Sequence, residues 1–239
     1  MSSATTATEP AVVGGWVDAG IVAIERPSDH AAVLRLRLPG RVPRRAGQHY
    51  VIRLTADDGY TASRSYSTAS APSDPLLELF VEELEDGEVS PYLAEAVEAG
   101  DELEVRGPIG GWFVWRGSTP ALGVGGGTGV VPLVAMLRHA RAEGRPQLLS
   151  LVAAARSSER LPYADELRDA GALVALSREG TAGGRPAGRL RADELAPLGA
   201  TAGTAYVCGS ARFAEATTGL LTQVGFPAGD IRVERFGPS

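Results

Sequence analysis

The chain reads as two different halves: a six-stranded antiparallel β-barrel, then a doubly wound parallel sheet of the α/β class. Three observations predict this. Between residues 15 and 105, six short strand-like runs are separated by turn residues, with room for one short helix. From residue 121 onward, strand runs alternate with helical ones, which is the pattern of a parallel sheet. The glycine-rich turn Gly125-Gly126-Gly127-Thr128-Gly129 joins the first strand of that second half to its helix. The break falls near Trp115-Arg116-Gly117-Ser118, so the expected division is residues 14–117 and 118–239, behind a disordered polar tail at 1–13.

Each element has its own signal. Residues 15–25 form the first strand, with a bulge expected at Gly20, and Ala32 to Leu38 alternates cleanly until Pro39-Gly40 breaks it. His49 to Leu54 is the third strand, turned by Asp57-Asp58-Gly59; residues 64–68 are the fourth. Leu76 to Leu84 and Asp101 to Val105 complete the set. Between them a helix is expected from Pro91 to Ala99, with Ser90 as N-cap and Pro91 at its first position. In the second half, strands are expected at 121–124, 147–153, 173–176, 204–208 and 231–236, with helices at 132–141, 163–170 and 211–224.

Composition narrows the function. All 23 basic residues are arginine, so neither a lysine Schiff base nor a Walker A lysine exists in this sequence. One cysteine, Cys208, excludes an internal disulfide and cannot supply the four ligands of a plant-type iron–sulfur cluster. The three histidines have no metal-ligand spacing, so no metal site is expected. No apolar run approaches a membrane span of about 18–20 residues, and the N-terminus lacks a signal-peptide pattern, which points to a cytoplasmic protein. Residues 1–117 carry 10 Arg against 18 acids, a net of −8; residues 118–239 carry 13 Arg against 11 acids, a net of +2. An acidic first half without a basic run argues against nucleic acid. The mildly basic second half suits an anionic small ligand.

Arg64-Ser65-Tyr66-Ser67-Thr68-Ala69-Ser70 is the most informative stretch. A flavin nucleotide needs this combination: a guanidinium for phosphate, an aromatic face for the isoalloxazine, and a hydroxyl for a ring nitrogen. The turn at Gly127 and Thr128 combines backbone freedom with a helix N-terminus, a place for a pyrophosphate. It departs from the Rossmann fingerprint, because the third glycine position holds Pro132. Ser90 also lies where a helix end would help hold a second pyrophosphate. Cys208-Gly209-Ser210 follows the fourth strand of the second half, at the edge where open parallel sheets bind ligands.

The order of these motifs resembles the ferredoxin–NADP reductase family of flavoproteins. Arg64-Ser65-Tyr66-Ser67 is similar to its flavin motif, Gly87-Glu88-Val89-Ser90 to its pyrophosphate turn, and Gly107-Pro108-Ile109-Gly110 to its Gly-Pro-x-Gly segment. Gly126 to Pro132, Cys208-Gly209 and Val233-Glu234-Arg235-Phe236 resemble its nicotinamide-nucleotide loop, Cys-Gly motif and C-terminal aromatic motif. The resemblance covers about residues 15–237. It implies an FAD-binding barrel followed by an NAD(P)-binding domain. Arg64, Val89 and Ser90 would meet the FAD phosphates, Tyr66 the ring, and Ser67 the flavin N5. Val81 and Glu82 would line the isoalloxazine through their backbone. Gly127 and Thr128 would hold the nicotinamide nucleotide, with Cys208 and Glu234 beside Ser67 at the reacting centre. Phe236 would cover the flavin, but Gly237-Pro238-Ser239 follows it, and core packing is the alternative.

The expected activity is hydride transfer from NADPH or NADH to FAD, with electrons passed to a separate iron–sulfur or heme protein. Ser177, Arg178 and Arg189 resemble a 2′-phosphate site and favour NADPH; Glu179 argues the other way. A reductase that supplies free reduced flavin, and a non-catalytic flavin-binding electron-transfer subunit, stand as alternatives. A monomer is expected.

Overall fold

A computed structural model describes residues 14–40 and 42–236. The expected tail at 1–13 and the three residues after Phe236 lie outside the described residues.

The first sheet contains β1 (Trp16–Ser28), β2 (Ala31–Arg37), β3 (His49–Thr55), β4 (Thr61–Ser67), β5 (Leu77–Glu82) and β6 (Glu102–Ile109). Its order is β4-β3-β6-β1-β2-β5, with antiparallel pairing throughout. A bridge between Thr68 and Leu79 joins the two outer strands and closes the barrel. The alternation read in β2 is the cause of its placement: Leu34 and Leu36 are fully buried while Arg35 and Arg37 face out. They meet Tyr50, Ile52, Leu77, Leu79, Val81 and Val105 in the barrel core. Each buried leucine contributes about 1.5–3 kcal/mol. The β1–β2 register shifts between Ile21 and Ala23 and again between Glu25 and Ser28, rather than at Gly20.

The helix expected at 91–99 forms in a shorter version: the helical segment covers residues 90–96, its Tyr92–Ala96 part is π-helical, and Ser90 does not cap it. The Ser90 hydroxyl instead accepts the Leu84 N–H at 3.1 Å, which ties off the preceding turn. Arg26 explains why the turn stops: its guanidinium donates to the Ala94 carbonyl at 2.9 Å and the Val97 carbonyl at 3.4 Å. Those acceptors are satisfied without further helix.

The second sheet holds β7 (Ala121–Gly126), β8 (Leu149–Ala155), β9 (Leu173–Leu176), β10 (Thr204–Ser210) and β11 (Ile231–Phe236). Its order is β11-β10-β7-β8-β9, all parallel. Helices α1 (Val131–Ala142), α2 (Ala164–Asp169), α3 (Ala192–Gly199) and α4 (Ala211–Gln223) connect it. The strand order reverses between β7 and β10, so the ligand crevice of such a sheet lies above their carboxyl ends. Helix α3 is not among the helices expected from the sequence, and it carries Pro197 in its interior. It forms around fully buried Leu195, and its first turn is held by Glu194, whose carboxylate accepts the Arg191 N–H at 2.9 Å.

The halves pack directly on each other. Ala46, Ala69, Phe113 and Trp115 share one core with Leu133, Met136 and Leu137 of α1. Beside this apolar seam lies a charged one. Glu78 of β5 accepts from Arg138 of α1 at 2.7 Å and from the Tyr163 hydroxyl at 2.9 Å, and pairs with Arg35 at 3.2 Å. Arg138 also donates to Glu166 of α2 at 2.8 Å. A guanidinium shared between two carboxylates fixes how α1 and α2 sit on the barrel.

Candidate active site

The barrel side of the site is the end of the β3–β4 ladder. Ser67 closes β4, opposite His49 in register, and its buried Oγ has no hydrogen-bond partner among the described residues. The neighbouring hydroxyls are consumed locally: Thr68 Oγ1 and Ser70 Oγ lie 3.0 Å apart, and Ser70 Oγ accepts the Glu78 N–H. Tyr66 is half-buried against the barrel core, and burial pushes its phenol up to about 12. Tyr50, its partner across the ladder, carries a second buried hydroxyl without a hydrogen-bond partner among the described residues.

Arg64 points outward. It donates to the Ser63 carbonyl at 2.8 Å and to Glu88 at 3.1 Å. The fold thus brings Arg64 to the Gly87–Ser90 turn, whose Glu88 lies 24 positions along the chain. Val89 is fully buried, Val81 likewise, and Glu82 stands 3.8 Å from Arg160 of the second half.

The second side is the crevice above β7 and β10. Gly127 and Thr128 begin a 3-10 turn that leads into α1. Gly127 has φ +56 and faces open space, so its backbone is accessible to a ligand. Gly129 is required for a different reason: a Cβ there would stand 2.2 Å from the Cys208 carbonyl oxygen. The turn after β7 therefore crosses directly over the end of β10. Cys208 is fully buried. Burial, aided by the nearby Glu234 carboxylate, raises its thiol well above the ordinary range, so it stays protonated and is no nucleophile.

Glu234 stands beside Cys208 in the β10–β11 register. Burial pushes its carboxyl up to about 7. Oε1 lies 3.7 Å from His49 Nδ1 on the barrel, while Oε2 is buried without a partner among the described residues. Burial lowers the His49 pKa, so the ring offers no full positive charge to offset a Glu234 carboxylate at neutral pH. This contact ties the ends of β3 and β11 together, and Ser67 is directly across the ladder from His49. Phe236, at the end of β11, is half-buried and packs on the core shared by the two halves.

The remaining predicted residues cluster elsewhere. Ser177 and Arg178 follow β9 and are exposed. The Gly188 N–H donates to the Leu176 carbonyl at 2.9 Å, which returns the segment that carries Arg189 to the end of β9. Arg185 organises this loop through Glu194 at 2.6 Å and three backbone carbonyls. The Glu179 carboxylate is engaged by the Ser158 N–H. Sequence reasoning missed His49, Glu88, Arg138 and the Arg185–Glu194 pair. Their roles depend on partners at least nine and as many as 185 positions away in the chain, which no local pattern encodes.

The residues present fit two dinucleotides. A buried hydroxyl of β4 and a buried carboxyl oxygen of β11 have no partner among the described residues, and the Gly127 backbone after β7 is open. A closed antiparallel barrel joined in this way to a doubly wound sheet defines a two-domain dinucleotide-dependent oxidoreductase.

Comparison with known proteins agrees. Residues 18–114 match the family described as the oxidoreductase FAD-binding domain, and residues 124–219 match the oxidoreductase NAD-binding domain. The chain is 28% identical over 228 residues to the ferredoxin–NAD(P)(+) reductase component of the naphthalene 1,2-dioxygenase/salicylate 5-hydroxylase systems of Ralstonia sp., a match spanning 92% of this chain and 68% of that protein. The FAD/NAD-binding domain of nitric oxide dioxygenase from Vibrio cholerae shares the fold with a TM-score of 0.82 at 21% identity, over 94% of this chain and 100% of that one. A ferredoxin NADP+ reductase from Neisseria gonorrhoeae, with bound FAD and NADP, has a TM-score of 0.77 at 18% identity, over 92% and 98% of the two chains. The protein belongs to the ferredoxin–NADP reductase family and is an NAD(P)H-dependent, FAD-containing reductase. Among the described residues, no helix is long and apolar enough to cross a membrane.

Proposed function

We propose that the seam between the two sheets is the hydride-transfer site, and that electrons leave for a separate iron–sulfur or heme protein. The observation that carries this is the pair of unpartnered buried oxygens, Ser67 Oγ and Glu234 Oε2, one from each half and linked through His49. Bound FAD supplies the hydride-accepting ring. Ser67 donates a hydrogen bond to that ring near N5, and Tyr66 packs against its face. Arg64, with the Val89–Ser90 backbone, takes the diphosphate, while Val81 and Glu82 line the ring through their main chain. Gly127 and Thr128 hold the nicotinamide nucleotide, with buried Cys208 as the floor beneath it. Glu234, titrating near 7, donates a hydrogen bond when protonated and accepts one when ionised. Packed aromatic and apolar groups along the seam exclude water.

On this reading residues 14–117 are the FAD-binding domain and 118–239 the NAD(P)-binding domain of a cytoplasmic monomer. Arg178 and Arg189 make no side-chain hydrogen bond or ion pair among the described residues, and two free guanidinium groups on segments at the end of β9 favour the 2′-phosphate of NADPH. Residues 1–117 carry a net charge of −8, which suits a partner with a basic patch.

The test is anaerobic reduction of the FAD-loaded protein by NADPH, followed by transfer to a one-electron protein acceptor. The expected rate falls as salt rises, because complementary charge accelerates encounter mainly at low ionic strength. Turnover that appears only when free FMN or FAD is added would replace this reading with that of a flavin reductase.

A further inference from the structure

Glu88 occupies the arginine that the FAD diphosphate needs. Its Oε2 accepts from Arg64 at 3.1 Å, and its Oε1 accepts from the Tyr60 hydroxyl at 2.7 Å. Both carboxylate oxygens are therefore held, and the Tyr60 and Arg64 contacts keep Glu88 below the ordinary carboxylate range. It is ionised throughout the neutral range.

The turn that carries Glu88 is itself braced. The Gly87 N–H donates to the Leu84 carbonyl at 2.7 Å, and the Leu84 N–H donates to Ser90 Oγ at 3.1 Å. Five carboxylates fall between residues 82 and 88, and the cations paired with them among the described residues are Arg64 and Arg160. Arg64 is thus the counter-charge of an acidic turn as well as a phosphate ligand.

We propose that Glu88 sets the affinity for FAD by competing with its diphosphate for the Arg64 guanidinium. The proposal rests on the reading that Arg64 takes those phosphates. An anion arriving at Arg64 must either displace Glu88 or share the cation with it. Tyr60 opposes displacement by holding the second carboxylate oxygen. Sharing places like charges side by side. Either way the carboxylate weakens binding, and no other residue at this turn has both the contact and the charge to do so. Glu88→Gln keeps the shape and one acceptor oxygen for Tyr60, and replaces the charged oxygen that faces Arg64 by an uncharged NH2 group.

The experiment is dilution of the FAD-loaded protein, reading the fluorescence of released FAD to obtain Kd for four proteins: wild type, Glu88→Gln, Arg64→Ala, and the double variant. Glu88→Gln is expected to bind FAD about fivefold more tightly in low salt, the size of one or two exposed charge interactions, with the gain shrinking at 1 M salt. Arg64→Ala is expected to weaken binding, and in that background Glu88→Gln should have little effect. Unchanged or weaker FAD binding by Glu88→Gln overturns the proposal, since Glu88 would then be neutral or would orient Arg64. An equal gain in both backgrounds also overturns it, because the competition would not run through Arg64. Wild-type affinity in Arg64→Ala is a separate result, which removes the underlying assignment of Arg64 to phosphate.

Discussion

Replacing Glu234 by Gln should make the protein more stable at alkaline pH while leaving it unchanged at acid pH. The ordinary carboxylate value is 4.5, and burial between β10 and the barrel pushes the folded value to about 7. A raised folded pKa means that the folded state favours the protonated form. Its contribution to stability is fully present below 4.5 and is lost as pH rises through about 7. The difference of about 2.5 units corresponds to about 3 kcal/mol at 1.36 kcal/mol per unit. With 22% of the side chain exposed, screening is incomplete, and this figure is an upper value. Gln is neutral at every pH and escapes the loss. His49 is the titratable side chain facing Oε1, and Cys208 beside it stays protonated, so neither supplies a compensating charge above neutrality. The assay is thermal unfolding of both proteins with excess FAD and no nicotinamide nucleotide, from pH 4 to 8.5. Subtracting the two curves cancels every other titrating group. The variant's advantage should grow by about 6–12 °C across that range, taking 2–4 °C per kcal/mol for a chain of this size. Parallel curves would show that Glu234 is not held in a desolvating site, and the argument for its role at the seam would fall with it.

Two further outcomes follow from the seam and from the loop after β9. Arg138→Ala should destabilise the protein by about 3 kcal/mol, because it leaves buried Glu78 with only Arg35 and Tyr163; urea unfolding measures this, and a loss under 1 kcal/mol would mean that the charged seam is well solvated. Arg178→Ala should raise the KM for NADPH about tenfold, the loss of one charged hydrogen bond, and leave that for NADH unchanged. Equal effects on both donors would assign Arg178 a role other than 2′-phosphate recognition.

Short-range chemistry determined a large part of this protein. Alternation in β2, the β–turn–α rhythm after residue 121, and the glycine turn before α1 each depend on neighbours a few positions apart, and each is present in the structure. The same reasoning overran the end of the helix after Ser90, because the carbonyls of its last turn are taken by Arg26, 68 residues earlier in the chain. It passed over α3, where burial of Leu195 outweighs the cost of Pro197. It also found the motif residues without their relations. That Ser67 is the hydroxyl left without a partner follows from Thr68 and Ser70 being spent on each other and on the Glu78 backbone. That Glu234 titrates near neutrality follows from its burial opposite His49, and that Arg64 is already engaged follows from the arrival of Glu88. Backbone propensity and side-chain periodicity are local energies, written residue by residue along the chain. Desolvation and pairing are set by what the rest of the molecule brings to a point in space, so only the tertiary structure decides them.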